Sequence, residues 1–293
     1  MKNKLSLFAV PYVGWMSIFV VAPIIIMVVY AFSTAAGDFT LENFARMGTY
    51  TAVFTRSFKL AIIATLIALL IGYPVSYMLS KEGPQVQRIA MVLIMLPMWM
   101  NFLLRTYSWM SILENNGLLN QLFQQIGLID LYNQIAMHFA SDPAAYVPID
   151  HFQMIGTQGA VVLGMVYNYL PFMILPIYSV LVKLDHSLIE AARDLGASSV
   201  QVFCKVILPL SLPGVLSGIT MVFVPSVSTF AISRLLGGGT QIMLGDLIEQ
   251  QFLGGAYNPQ LGAAIALVMM AIVVVCMLVM NRFGDGEEQA VML

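Results

Sequence analysis

The sequence predicts an all-α, polytopic membrane protein with six transmembrane helices, and three observations predict it. Of 293 residues, 59% are hydrophobic and only 10% are charged, where a soluble domain carries about a quarter charged residues. The apolar residues gather in runs near the ~20 needed to cross a bilayer core. Those runs are too long for barrel strands and lack a two-residue alternation. Lipid offers the backbone no hydrogen bonds, so helices remain as the way across. One membrane domain fits this length, and a net charge of −2 suggests no nucleic-acid partner.

The first span is expected over 7–32, with Pro11 near its start and Pro23 inside it. Lys2 and Lys4 precede it and no small-residue cleavage site follows, so it reads as a retained helix rather than a signal peptide. The second span is expected over 58–79, the third over 89–110 and the fourth over 159–182. The fifth is expected over 212–233 and the sixth over 261–281. Orientation follows from Lys and Arg placement. Lys2, Lys4, Lys81, Arg88, Lys183, Arg193, Lys205 and Arg282 fall on one side, which is then cytoplasmic and holds both termini. Residues 106–182 contain no Lys or Arg but carry Glu114, Asp130, Asp142 and Asp150, as an outside loop does. Arg46, Arg56, Lys59 and Arg234 run against the rule, and those at helix ends can snorkel outward. Cys204 and Cys276 form no paired motif and read as free packing residues.

The outside loop, 111–158, is long. Asn115-Asn116-Gly117 marks a turn, Leu118–Leu128 fits a short interfacial helix, and Pro143 and Pro148 imply irregular chain beyond. Such a loop is either a receiver for a binding protein or a passive cover.

The segment 183–211 is amphipathic and charged. Ser187 and Glu190 have capping-box spacing, which places a helix start near Ser187. Ala191, Ala192, Arg193 and Leu195 continue it, and Gly196 stands where a left-handed C′ residue ends it. Ser198 and Gln201 repeat the box and start a second helix, which Pro209 and Pro213 close. The result is a helix–glycine–helix elbow. Ala191 and Ala192 offer a smooth surface, while Glu190 and Asp194, at i,i+4 with Arg193 beside them, offer charged anchors. Spacing alone also fits an ordinary loop with two surface helices.

The chain carries no visible chemistry of its own: no phosphate loop, and three histidines, His138, His151 and His186, without metal-ligand spacing. Gly237-Gly238-Gly239-Thr240 reads as a flexible connector. A solute path must then be sought among polar residues inside spans. On the third span Asn101, Arg105, Ser108 and Trp109 share a face; on the fourth, Tyr167, Asn168 and Tyr169 precede Pro171. On the fifth, Ser226, Thr229 and Ser233 line one face of a helix broken by Pro225, with Phe230 beside them. These residues either line a solute path or glue helices together, and Arg105 is alternatively an interfacial anchor. Asp246 and Glu249 lie at i,i+3 before the sixth span, placed to attract a cation from outside or simply surface charge.

Glu190-Ala191-Ala192, Gly196 and Leu208-Pro209 resemble the EAA signature of ABC-importer permeases, with Val206 where the family has isoleucine. More of the chain resembles one permease subunit of the spermidine/putrescine importer family. The matching stretches are Tyr169–Ser179, Lys183-Leu184-Asp185, Glu190–Ala197, Asn101–Tyr107, the Gly72-Tyr73-Pro74 turn and, most loosely, Gln251-Phe252-Leu253. Residues 130–159 are longer than that family leads one to expect. The resemblance implies a type I permease fold in the bacterial cytoplasmic (inner) membrane and uptake of a polyamine by alternating access. It implies two copies of an ATPase that hold ATP and Mg, a second homologous permease and an extracytoplasmic substrate-binding protein. No cofactor or metal is then bound by this chain. The coupling residues it implies are Glu190, Ala191, Ala192, Arg193, Asp194, Gly196, Leu208 and Pro209. Trp99, Trp109, Tyr167 and Tyr169 would suit ammonium groups. Another solute, a metal ion or an oxyanion, fits the same class. A self-sufficient secondary transporter fits less well, for want of paired intramembrane carboxylates.

Overall fold

The computed structural model describes residues 11–139 and 146–291. Lys2, Lys4, the start of the first expected span, Asp142 and Pro143 lie outside the described residues. The described chain is helical, with a single isolated bridge between Ser33 and Phe39. Its helices are α1 (Pro11–Ala31), α2 (Glu42–Arg46), α3 (Thr51–Ser80), α4 (Pro84–Trp99), α5 (Phe102–Leu113), α6 (Leu118–Gln125), α7 (Leu128–Phe139), α8 (Gln158–Leu181) and α9 (His186–Asp194). Then come α10 (Ser199–Ser228), α11 (Ala231–Leu236), α12 (Leu244–Leu253) and α13 (Pro259–Val291). Five are long and apolar enough to cross a membrane among the described residues, six if α4 and the bent-off stretch Phe102–Gln125 (α5 and α6) count as one span.

The core is the three-helix contact of α3, α8 and α10. Between helices in lipid the hydrophobic drive is weak, and close approach of backbones through small residues takes its place. Ala61, Ala64 and Ala68 of α3 are fully buried. A Cβ on Gly72 would stand 2.9 Å from Met173, one on Gly218 2.8 Å from the same side chain, and one on Gly214 2.8 Å from the Pro176 carbonyl. Two polar links lock the layer. Tyr73 Oη and Ser211 Oγ lie 2.9 Å apart, and the Ser76 hydroxyl reaches the Ile174 carbonyl at 3.1 Å. Leu261 and Ile265 of α13 pack on Phe223, Val227 and Ala61. α1 touches the rest chiefly through α13, where Ala31 meets Ala263 and Ala264.

Several expectations are corrected. Gly72-Tyr73-Pro74 is no turn but lies inside α3. That helix begins at Thr51, well before position 58. The third span is two helices bent by 90°, because Met100 adopts extended backbone between α4 and α5. The fifth passes Pro225 intact and breaks at Thr229–Phe230. Pro209 and Pro213 do not close the elbow's second helix, which runs on as α10. The reason lies one turn upstream: the Leu208 N–H bonds to the Phe203 carbonyl, a π turn. α1 repeats the arrangement, with Ala22 N–H bonded to the Ser17 carbonyl just before Pro23. A proline ring clashes with the carbonyl four residues back, and a widened turn at that point lets the helix continue. Outside, the expected helix over 118–128 forms as α6 but stops at Gln125, and α7 starts past Gly127, which sits at φ +71°.

Three of the four cations that run against the inside rule are held by partners. Arg46 pairs with Glu42 at 2.7 Å, Arg56 donates to the Thr240 carbonyl at 3.2 Å, and Arg234 pairs with Glu249 at 2.6 Å.

Gly214→Val places branched carbons against the α8 backbone and is expected to destabilise the protein by about 1–3 kcal/mol. Gly48→Ala, with nothing within 4 Å of its added carbon, is expected to leave the thermal midpoint of the solubilised protein near the parent value. Equal midpoints for both variants would contradict the close contact.

Candidate functional site

Two places gather the candidate residues: the elbow at one end of α10 and the helix breaks at the other. At the elbow, α9 is capped by Asp185, whose carboxylate accepts the Ser187 N–H at 2.9 Å. The cap therefore lies two residues before the expected Ser187, and the Ser187–Glu190 box does not form. Asp at an N-cap satisfies an orphan amide of the first turn, here that of Ser187. At the other end Ala197 N–H bonds to the Ala192 carbonyl (3.0 Å) and Gly196 N–H to the Arg193 carbonyl (2.8 Å), with Gly196 at φ +82°. These two bonds are a Schellman motif. Ser198 and Gln201 form the expected reciprocal box, at 2.8 and 3.4 Å.

The elbow leans on the bundle through Ile189, Ala192, Ala197 and Phe203, the last with Tyr73 and Tyr77 edge-on at 5.8 and 5.4 Å. Ala192 thus turns inward instead of adding to a smooth outer face. Glu190, Ala191 and Asp194 stay exposed, as does Arg193. Leu195, passed over in the sequence, stands 89% exposed at the tip with Val200 beside it at 71%. Its position just before a C′ glycine was the available signal. Leu208 closes the π turn of α10 and Pro209 follows it in the regular helix. Cys204 is exposed rather than packed.

At the other end, the breaks after α4 and after α10 leave irregular backbone inside apolar segments. Such backbone is tolerated in a membrane only where protein buries it or a polar cavity adjoins it. Asn101 caps α5, its carboxamide oxygen accepting Leu103 and Leu104 N–H at 2.9 and 3.3 Å. α11 seats Ile232 and Leu236 where Gly164 of α8 leaves room. Arg105 lies 6.0 Å from the Tyr167 ring, and Trp109 is edge-on to that ring at 5.3 Å. Tyr169 lies near Thr229 and Arg105. The structure therefore brings together Arg105, Trp109, Tyr167, Tyr169 and Thr229 from three spans. It leaves out Asn101, spent as a cap; Ser108, bonded to the Leu104 carbonyl; and Ser226, bonded to the Val222 carbonyl. Phe230 is half exposed at the break. Arg105 is 8% exposed, which excludes the interfacial-anchor reading, yet its Nε and Nη1 have no hydrogen-bond partner, nor does Oδ1 of buried Asn168.

Asp246 is corrected outright. It is 3% exposed and faces inward. Its carboxylate accepts the Ser233 hydroxyl at 2.5 Å and the Met243 N–H at 3.1 Å. It ties α12 to α11 just past the break. Leu244 N–H reaches Ser57 of α3 at 2.8 Å, and Gly245 sits so close to the break that a Cβ would be 2.5 Å from the Thr229 carbonyl. Glu249 is engaged by Arg234. Neither carboxylate is free to attract a cation from outside. The glycine connector is pinned too, with Thr240 Oγ1 donating to the Gly156 carbonyl at 3.0 Å and Gly156 N–H to the Leu236 carbonyl at 2.9 Å. Among the described residues no three His, Cys, Asp or Glu side chains are placed to hold a metal.

The family model of the binding-protein-dependent transport system inner membrane component matches residues 64–286. The chain is 35% identical over 281 residues to the spermidine/putrescine transport system permease protein PotB of Escherichia coli (strain K12), covering 93% of this chain and 95% of that protein. It is 34% identical to the protein of the same name from Salmonella typhimurium (strain SL1344), covering 93% and 91%. Among solved structures, a bacterial ABC transporter that imports the acidic polysaccharide alginate superposes with a TM-score of 0.76 at 16% identity, covering 97% of this chain and 96% of that one. A likeness at that identity speaks for the fold alone.

Burial pushes the Asp246 carboxyl above the usual carboxylate range, against the pull of the Ser233 hydroxyl, the Met243 amide and Arg234. A carboxyl raised in the folded state favours folding most below its unfolded value, and that contribution falls as pH rises through the folded value. Thermal stability is therefore expected to decline across that window, and Asp246→Asn is expected to flatten the decline. Asp246→Ala, which orphans two buried donors, is expected to cost about 1–3 kcal/mol. A parent and Asn variant with the same pH slope would contradict this.

Proposed function

The chain belongs to the family of binding-protein-dependent transport system inner membrane components, and from that premise we propose that it is the permease subunit of an ATP-driven polyamine importer. The observation that carries the solute class is the 34–35% identity to spermidine/putrescine permeases over 93% of the chain. The chain has the type I permease fold, is a multi-pass inner-membrane protein and catalyses nothing itself. ATP and Mg belong to a pair of ATPase subunits at the cytoplasmic face. A second, homologous permease completes the membrane pair, and a substrate-binding protein delivers the solute from outside. Both termini and the elbow lie in the cytoplasm.

In this reading the exposed residues Glu190, Ala191, Asp194 and Leu195 dock with the ATPase, Arg193 lies toward the bundle side of the elbow, and Gly196 holds the turn that presents them. The stroke passes up α10, whose helix is continuous from Ser199 to Ser228. It ends at Thr229, beside Tyr169 and Arg105. Movement there opens the cavity to alternate sides of the membrane. Arg105 already occupies the neighbourhood of the Tyr167 face, and like charges repel. The ammonium groups of a polyamine are therefore best met by Trp99 and Phe230, 77% and 47% exposed at the two breaks, through cation–π attraction. Of the four aromatic residues expected to suit ammonium groups, this keeps Trp99 and replaces Trp109, Tyr167 and Tyr169 with Phe230.

The test is uptake of labelled spermidine and putrescine by the reconstituted importer, beside a divalent metal ion and an oxyanion. Polyamine uptake that requires both ATP and the binding protein supports the reading; uptake without the ATPase overturns it. No atom lies within 4 Å of a Cβ added at Gly196, so Gly196→Asp acts through the left-handed backbone, at about 1–2 kcal/mol, and not through a clash. That variant is expected to lose the ATPase or to hydrolyse ATP without uptake. Normal ATP-driven uptake would falsify the coupling role.

A further inference from the structure

Between the elbow and the bundle lies a cavity of about 340 Å³, at the small end of ligand pockets. Lys81, at the end of α3, and Arg193, of α9, line its polar side with the hydroxyl-bearing Ser80 and Ser199. Leu181 and Ile207 are part of its apolar wall, and no carboxylate lines it. The Lys81 ammonium rests over the Tyr77 ring at 3.8 Å, which fixes it at the cavity rather than leaving it to sweep through solvent. Neither cation is engaged in the ion pairs of the described residues. Ser199 opens the first turn of α10, whose amides carry the positive end of a long helix dipole. Two cations, the Ser199 hydroxyl and a helix start thus converge on one side, with an apolar wall on the other; the Ser80 hydroxyl is bonded to the Tyr77 carbonyl at 2.9 Å.

We propose that this cavity is a binding site for a phosphate-bearing anion, and that the phosphate group sits between Lys81 and Arg193. The apolar wall fits carbon attached to the phosphate, as in the headgroup region of an anionic phospholipid of the inner leaflet; basic pockets at the cytoplasmic side of membrane helices suit that chemistry. A soluble phosphate ester shares the same chemistry. The cavity is walled by α9 on one side and by the ends of α3 and α8 on the other. Its occupant therefore sets how far the elbow stands from the bundle and bears on the coupling stroke. The site does not depend on which solute is carried.

The assembled importer is extracted from vesicles of phosphatidylcholine alone or with phosphatidylglycerol added, and retained lipid is read by native mass spectrometry. Phosphatidylglycerol is expected to stay with the parent protein. Retention is expected to fall roughly fivefold in Lys81→Gln, the loss of one basic contact near an anionic surface, and to return in Lys81→Arg. Lys183→Gln, outside the cavity, controls for loss of charge alone and is expected to retain lipid as the parent does. A second arm measures binding of glycerol phosphate and inorganic phosphate to delipidated complex. Saturable binding there that is lost in Lys81→Gln, without selective lipid retention, assigns the site to a soluble phosphate. If parent and Lys81→Gln retain the same lipid and bind the same phosphate, the proposal fails. A monodisperse Arg193→Gln complex serves as the second variant, and unchanged binding there overturns it equally.

Discussion

The controlling constraint is that lipid supplies neither hydrogen bonds to an open backbone nor a strong drive to press one apolar helix on another. Everything that holds this chain together must therefore be short-range. Gly72, Gly214 and Gly218 let three helices touch at the backbone, so that Met173 fills the space a side chain would have taken. Ser76 and Tyr73 spend their hydroxyls across the same interface. Where the helical ladder is interrupted, at Met100–Asn101 and at Thr229–Phe230, the loose ends are covered at once. A side-chain cap from Asn101 serves one, and the close packing of α11 and Gly245 serves the other.

The same constraint favours long unbroken helices, and α10 is one. α10 spans 30 residues without a gap, about 45 Å at 1.5 Å per residue. Its π turn widens the helix below Pro209 without dividing it. One rigid element therefore starts in the elbow and stops at the break. Asp246 fastens the half-helix α11 on the far side of that break to α12, while Ser57 fastens α12 to α3. A displacement of α10 is met there by an anchored piece rather than a slack one.

Much of this was legible in the residues. Composition gave the helical membrane class, and Gly196, Ser198 and Gln201 gave the elbow's turn and its second start. Polar residues on three separate spans pointed to a cluster that includes Arg105, Tyr167 and Thr229. What was not legible depended on long-range contacts. Asp246 reads as a surface carboxylate beside Glu249 until Ser233, thirteen positions earlier, folds onto it. Pro209 and Pro213 read as stops because the π turn that tolerates Pro209 has no signature of its own in Phe203–Ile207. Pro225 read as the break in the fifth span, yet the break fell at Thr229–Phe230, where α12 and α3 supply the support that an unwound backbone needs. Asp185 took the cap from Ser187 because its carboxylate accepts the Ser187 N–H, so the helix starts earlier, at His186.

The packing of α1 has a consequence for how the molecule is made. None of its most apolar 18-residue window is buried by the rest of the chain, and its main contact, Ala31 with Ala263 and Ala264, is to α13. A ribosome extends a chain by about 5–20 residues per second, so α1 emerges on the order of ten seconds before its partner exists. It must enter the bilayer as a lone helix and stay there by hydropathy alone. The core of α3, α8 and α10 can close without it, and the docking of α1 onto α13 is a late event in biogenesis, open to competition from any other helix that meets the nascent chain first.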